Sequence, residues 1–232
     1  MSGDIRGSGV ATYLQCPAYG AWKHLPEAEG RPVHCGTLCG TMAHSKVTGQ
    51  KLEMPKIVTW DGDTQSIKDL EWQAGSIASA VDEWLGGANV LHRELEVATD
   101  NMTGHIDLVI ETVGRVQLVD LKTGHRKPGS AVWTQLAAYA FMYDIWQESN
   151  GGRRADDVVL LWVPRVRRGE SQPVYWDSRD AEALTEIGGQ LADRAREALL
   201  DTEVQIPGDH CRYCGVEYCL MRETNLMDMK DG

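Results

Sequence analysis

Two aspartates and a lysine, each set inside an apolar run, are the first candidates for chemistry. Asp107 lies in the strand-like stretch from Gly104 to Glu111, and Asp120 and Lys122 lie in a second one from Val116 to Lys122. Between them, Thr112-Val113-Gly114-Arg115 reads as a turn. If that turn is centred between Val113 and Gly114, Asp107 falls directly opposite Asp120. Side chains alternate along a strand, so Lys122 and Leu118 then share the face of Asp120. Like charges facing one another across a sheet are destabilising, and the apolar neighbours Ile106, Leu108, Val109, Leu118, Val119 and Leu121 add a desolvation cost. A divalent cation would relieve both. Two plainer readings stay open: a turn one residue longer flips Asp107 to the other face, and Lys122 could simply neutralise Asp120 at a strand end.

Further along, Gln135 and Tyr139 are four residues apart, hence on one helix face, in a stretch otherwise filled with alanine, leucine and phenylalanine. Upstream, His44 sits in a segment where Gly36, Gly40 and Ala43 recur at spacings of three and four. Each residue alone fits an ordinary role: a core tyrosine, a surface glutamine, a satisfied core histidine. Their combination with the paired aspartates is what suggests a site.

The elements that must position these residues follow from periodicity and breakers. A short helix is expected within 8–24 and a closely packed one from Val33 to Val47. An amphipathic helix runs from about Thr64 to Leu85 and stops at Gly86-Gly87. Leu91, Arg93, Leu95 and Val97 alternate with polar residues as a strand that opens an antiparallel meander with the two runs above. A helix from Pro128 to Glu148 follows, ended by Asn150-Gly151-Gly152. Strands are expected at Asp157 to Val163 and Gln172 to Trp176, joined by a turn at Arg167-Arg168-Gly169-Glu170, and then a last helix from Asp180 to Leu200. This order gives a mixed α/β core, a small sheet flanked by helices.

At 232 residues, with 42% hydrophobic and 25% charged residues, the chain can bury a core without disulfides. A net charge of −11 argues against nonspecific coating of nucleic acid. No apolar run approaches the roughly 18 residues of a membrane helix, and the start lacks signal-peptide order, so a cytoplasmic protein with no membrane partner is expected. In a reducing compartment the six cysteines read as metal ligands or buried thiols. Cys35 and Cys39, one helical turn apart, read as buried small hydrophobes, although ligation with His34 or His44 is conceivable. Most of the eight tryptophans read as core, with Trp72, Trp84 and Trp146 on helices that need apolar faces.

The ordered set His44, Gly104-His105-Ile106-Asp107, Asp120-Leu121-Lys122-Thr123-Gly124 and Gln135 to Tyr139 resembles the PD-(D/E)XK nuclease superfamily, in its RecB-like branch. Tyr13-Leu14-Gln15-Cys16-Pro17 looks like the entry motif of that branch, and Cys211, Cys214 and Cys219 look like closing ligands of an iron-sulfur staple. The chain is similar to CRISPR-associated RecB-like exonucleases and their phage-encoded relatives. The resemblance implies one restriction-endonuclease-like domain over 1–232. Its helical part at 8–60 would carry Cys16 and His44, its core would cover 89–200, and a cysteine-rich segment would occupy 201–232.

It further implies a metal-dependent DNA exonuclease acting on single strands or DNA ends. His44, Asp107, Asp120 and the Leu121 carbonyl would hold Mn²⁺ or Mg²⁺, a donor set that suits those ions. Lys122 would act on the attacking water, with Gln135 and Tyr139 in support. Lys122, His125, Arg126, Lys127, Arg165, Arg167 and Arg168 are candidate phosphate contacts, or else a solvated loop. Cys16, Cys211, Cys214 and Cys219 would hold a 4Fe-4S cluster; a zinc ribbon is less apt because Cys16 is remote in sequence from the one C-x-x-C pair. Nuclease or recombination proteins are conceivable partners. The competing readings are a catalytically weak DNA-end-binding or adaptor module, and a zinc-binding protein of the same fold.

Overall fold

The computed structural model describes residues 5–17, 33–60 and 66–200. In chain order the described elements are β1 (Ile5–Arg6), a short 3-10 helix (Gly7–Gly9), α1 (Val10–Gln15), β2 (Val33–His34), α2 (Cys35–Thr48), β3 (Val58–Thr59) and α3 (Ile67–Leu85). There follow β4 (Asn89–Ala98), β5 (Met102–Thr112), β6 (Arg115–Lys122), α4 (Ala131–Asn150), β7 (Asp157–Trp162), β8 (Tyr175–Asp180) and α5 (Ala181–Leu200).

The meander forms as the sequence predicts. Thr112 pairs with Arg115 around Val113 and Gly114, whose φ angles of 50° and 73° are both positive, the backbone that a two-residue type I′ hairpin requires. β5 is central, with β4 and β6 antiparallel on its two sides: Leu108 pairs with Arg93 on one and Val119 on the other. α4 then crosses over to bring β7 parallel to β6, and β8 closes the edge antiparallel to β7. β1 pairs parallel with the first residues of β5, and β2 with β3 apart from the main sheet.

Alternation along β5, β6 and β7 fills two cores, which is why these strands read as nearly continuous apolar runs. Val109, Val116, Leu118, Val158 and Leu160 pack with residues of α1, α4 and α5. Leu108, Ile110, Val119, Leu121, Val159 and Leu161 pack with α2 and α3. The small residues of α2 permit close approach: a Cβ on Gly40 would lie 2.7 Å from Thr123 Oγ1, and one on Gly36 2.9 Å from the Arg165 guanidinium. Ser66 caps α3, its hydroxyl accepting from the Asp69 amide at 3.2 Å.

Four expectations shift. The first helix ends at Gln15, and the part of the expected helix beyond residue 17 lies outside the described residues. α4 begins at Ala131 rather than Pro128. β8 is Tyr175–Asp180 rather than Gln172 to Trp176: Gln172 turns its amide to the Pro164 carbonyl at 2.6 Å, and pairing with β7 begins at Tyr175. The simple alternation expected of β4 fails, because its register with β5 shifts between Val90 and His92, and Glu94 takes a positive φ of 49°.

Candidate active site

The site opens where β5 and β6 part. Their ladder ends at Leu108 and Val119. Beyond it, the Asp107 carboxylate replaces a backbone acceptor, its Oδ2 receiving the Leu121 amide at 2.7 Å. Within a strand, a residue's N–H and C=O point to the same neighbour, so the Leu121 carbonyl is aimed into the same gap. Asp107 and Asp120 follow the last laddered pair at the parted strand ends, and both are buried.

Asp120 anchors a network. Lys122 Nζ donates to its Oδ1 at 2.9 Å, and the Gln135 amide donates to the same oxygen at 3.3 Å and to the Tyr139 hydroxyl at 2.9 Å. Lys122 also reaches Gln135 Oε1 at 3.4 Å. Thus the helical pair and the strand residues expected from the sequence do meet. Gly104 has a steric reason: a Cβ there would lie 2.7 Å from Tyr139 Cε1 and 2.9 Å from the Met142 methyl. The tyrosine ring therefore needs bare backbone on β5 to stand beside Gln135.

The third side comes from α2 and β4. His44 Nδ1 is 3.3 Å from Asp107 Oδ1. His44, Glu94 and Asp107 can each offer one ligand atom, and these atoms lie within 4.8 Å of one another. Glu94 is the residue that sequence reasoning missed. Read by alternation it is one solvent-facing acid among several, but its positive φ beside the strand irregularity turns it toward Asp107.

Crowded carboxylates strain one another here. Burial, opposed by Lys122 and reinforced by the Asp107 charge, pushes Asp120 up to about 6. Burial and Asp107 also raise the Glu94 pKa. Burial works against protonated His44, yet its bond to Asp107 and the nearby carboxylates outweigh that and raise it. Burial raises the Tyr139 hydroxyl, with the Asp120 charge adding to it. Asp120 Oδ2, 2.8 Å from Lys122 Nζ in ion contact, receives no directed hydrogen bond although it is buried. A buried carboxylate whose counter-charge is Lys122, beside a clustered histidine, glutamate and aspartate, fits a hard divalent cation by its donor chemistry.

Of the basic candidates, His125, Arg165, Arg167 and Arg168 line one cleft of about 310 Å³ with Trp72, Gln73 and two acids, Asp69 and Glu170. Arg126 and Lys127 lie on the exposed loop that leaves β6. Cys35 and Cys39 are fully buried, and burial pushes the Cys39 thiol up to about 11, which suits a packing role. Cys16 is buried at the end of α1, whereas Cys211, Cys214 and Cys219 lie outside the described residues. Of the seven described tryptophans, Trp84, Trp133 and Trp146 pack against the two cores without being fully buried, whereas Trp60 and Trp176 are 42% and 62% exposed.

The model of the PD-(D/E)XK nuclease superfamily matches residues 8–219. Among solved structures, a candidate exonuclease from Eubacterium rectale superposes with a TM-score of 0.52 at 13% identity, covering 100% of this chain and 94% of its own. This is a likeness of fold. An alkaline exonuclease from Laribacter hongkongensis is more distant, with a TM-score of 0.42 at 12% identity over 86% of this chain and 90% of that one. A phage-related exonuclease from Haemophilus somnus gives 0.39 at 14% identity, over 86% and 96%. No curated protein matches the chain in sequence. With the family model matching residues 8–219, nearly its whole length, the chain belongs to the PD-(D/E)XK nuclease superfamily.

Proposed function

We propose that the protein is a DNA exonuclease acting on single strands or DNA ends, with its catalytic residues on the splayed ends of β5 and β6. The observation that carries this reading is the pair of buried aspartates at the parted strand ends, with Lys122 and Gln135 bonded to Asp120 and the Leu121 amide, His44 and Glu94 gathered on Asp107. His44, Glu94, Asp107, Asp120 and the Leu121 carbonyl would hold Mn²⁺ or Mg²⁺, which supplies Lewis acidity toward the phosphate and lowers the pKa of bound water. Lys122 stands where it can orient the attacking water and offset charge growing on the phosphate oxygens. Gln135 holds Lys122 and Asp120 in register, and Tyr139 holds Gln135. The basic cleft and the loop carrying His125, Arg126 and Lys127 offer contacts to the flanking phosphates on an otherwise acidic protein.

The four cysteines Cys16, Cys211, Cys214 and Cys219 would hold a structural 4Fe-4S cluster, a reading that rests on their order in the sequence and on the family resemblance. Anaerobically purified protein should then show iron and visible cluster absorbance, and Cys16→Ala should lose both. Stoichiometric zinc without iron would refute the cluster while leaving the nuclease reading intact. The function itself is tested with end-labelled linear DNA and Mn²⁺: progressive loss of the labelled terminus, with closed circular DNA spared, is the expected outcome. Cleavage of circular DNA would refute the exonuclease assignment, and DNA binding without cleavage would favour the adaptor reading.

A further inference from the structure

Trp162 pairs with Lys122 across the parallel β6–β7 ladder, and Tyr175 pairs with Trp162 across the antiparallel β7–β8 ladder. Residues in register share a face, so both rings belong to the face that carries Asp120 and Lys122. With strands about 4.8 Å apart, Tyr175 stands roughly 10 Å from Lys122 at the level of the backbone. The two rings stack, with centroids 4.9 Å apart and planes 24° from parallel. The indole N–H of Trp162 donates to the Gly124 carbonyl at 2.9 Å, tying the pair to the exposed loop with His125, Arg126 and Lys127. Tyr175 remains 51% exposed.

We propose that Tyr175, backed by Trp162, is a stacking platform for one base of single-stranded DNA within a few nucleotides of the scissile phosphate, the basic loop holding the adjoining phosphate. The inference rests on the exonuclease reading and adds a subsite to it. A base has an apolar π-face and a charged backbone, and single-strand sites pair aromatic side chains with a basic groove for that reason. A cross-strand pair that served only the sheet edge would need no bond to the loop leaving the catalytic strand.

The test uses the full chain with Mn²⁺ and linear single-stranded oligonucleotides, intact or carrying one abasic residue at each of the terminal positions in turn. Tyr175→Ala should raise KM for the intact strand about tenfold, equivalent to about 1.4 kcal/mol, with kcat within about twofold. Tyr175→Phe should behave as wild type, and so should Trp176→Ala on the opposite face of the same strand. Tyr175→Leu keeps apolar cover over Trp162 and should still lose affinity, which separates stacking from folding. At one abasic position the wild type should fall to the level of Tyr175→Ala and the variant should lose nothing more. A KM for both Tyr175→Ala and Tyr175→Leu within about twofold of wild type, or an equal loss on every abasic strand, overturns the platform alone. A wild type that cleaves no DNA overturns the exonuclease reading and the platform with it.

Discussion

Replacing Asp120 by asparagine should make the metal-free protein more stable at pH 8 while abolishing cleavage. Burial holds the Asp120 carboxyl at about 6 in the folded chain, against 3.8 for a free one. The folded state therefore favours the protonated form. Between the two values it binds the proton that the unfolded chain has released, so stability falls as pH rises from about 4 to 6 and stays low above that. At about 1.4 kcal/mol per tenfold change in proton affinity, the ionised carboxylate costs the fold about 3 kcal/mol. Asparagine resembles the protonated acid: its carbonyl takes the Oδ1 place that accepts from Lys122 and Gln135, and its amide nitrogen takes the Oδ2 place, from which the Lys122 ammonium must swing away. In EDTA at pH 8, urea unfolding of Asp120→Asn should thus exceed wild type by up to about 3 kcal/mol, or roughly 6 to 12 °C in Tm. The advantage should vanish near pH 4. Added Mn²⁺ should stabilise wild type at pH 8 far more than the variant, because the ion relieves the same repulsion. A difference that does not change with pH, or an asparagine variant that is less stable at pH 8, would refute the reasoning.

Three other outcomes follow from particular contacts. Gly104→Ala should destabilise the protein by about 1–3 kcal/mol in thermal melts and lower kcat, since its Cβ displaces the Tyr139 ring that orients Gln135. Glu94→Gln should weaken Mn²⁺ binding at least about tenfold by calorimetry, with little loss of fold. Val113→Gly should raise stability by about 1 kcal/mol in urea titrations and leave activity unchanged, because a β-branched residue there holds a φ of 50° while 97% exposed.

The parts legible in the sequence were those governed by local rules. Of the two turn lengths the residues allowed, the structure takes the one centred between Val113 and Gly114, and its register runs to Leu108 and Val119, the pair before Asp107 and Asp120. Gln135 and Tyr139 were placed by the helical repeat in the same way. Glu94 was not legible, because an irregularity in β4 and one positive φ decide where it points, and neither leaves a pattern in residue type. β8 was displaced because Tyr175–Asp180 is a polar edge strand whose six residues are all exposed; its pairing with β7 comes from tertiary contact, not hydrophobic alternation. The tryptophans divide for a related reason. Large rings on amphipathic elements look like core, yet several here lie at the rim, where one side of the ring packs and the other meets solvent.

The most direct test of the catalytic site is single-turnover cleavage of end-labelled DNA by wild type, Asp107→Ala, Asp120→Asn and Lys122→Ala, each stripped of metal and then given Mn²⁺. Wild type should be silent in EDTA and restored by the ion, with 5′-phosphate products. Both aspartate variants should stay inactive at any metal concentration. Lys122→Ala should bind DNA and Mn²⁺ nearly as well as wild type yet cleave at least about a hundredfold more slowly. Undiminished cleavage by the aspartate variants, or wild-type cleavage that persists in EDTA, would contradict the assignment of the catalytic centre to the ends of β5 and β6.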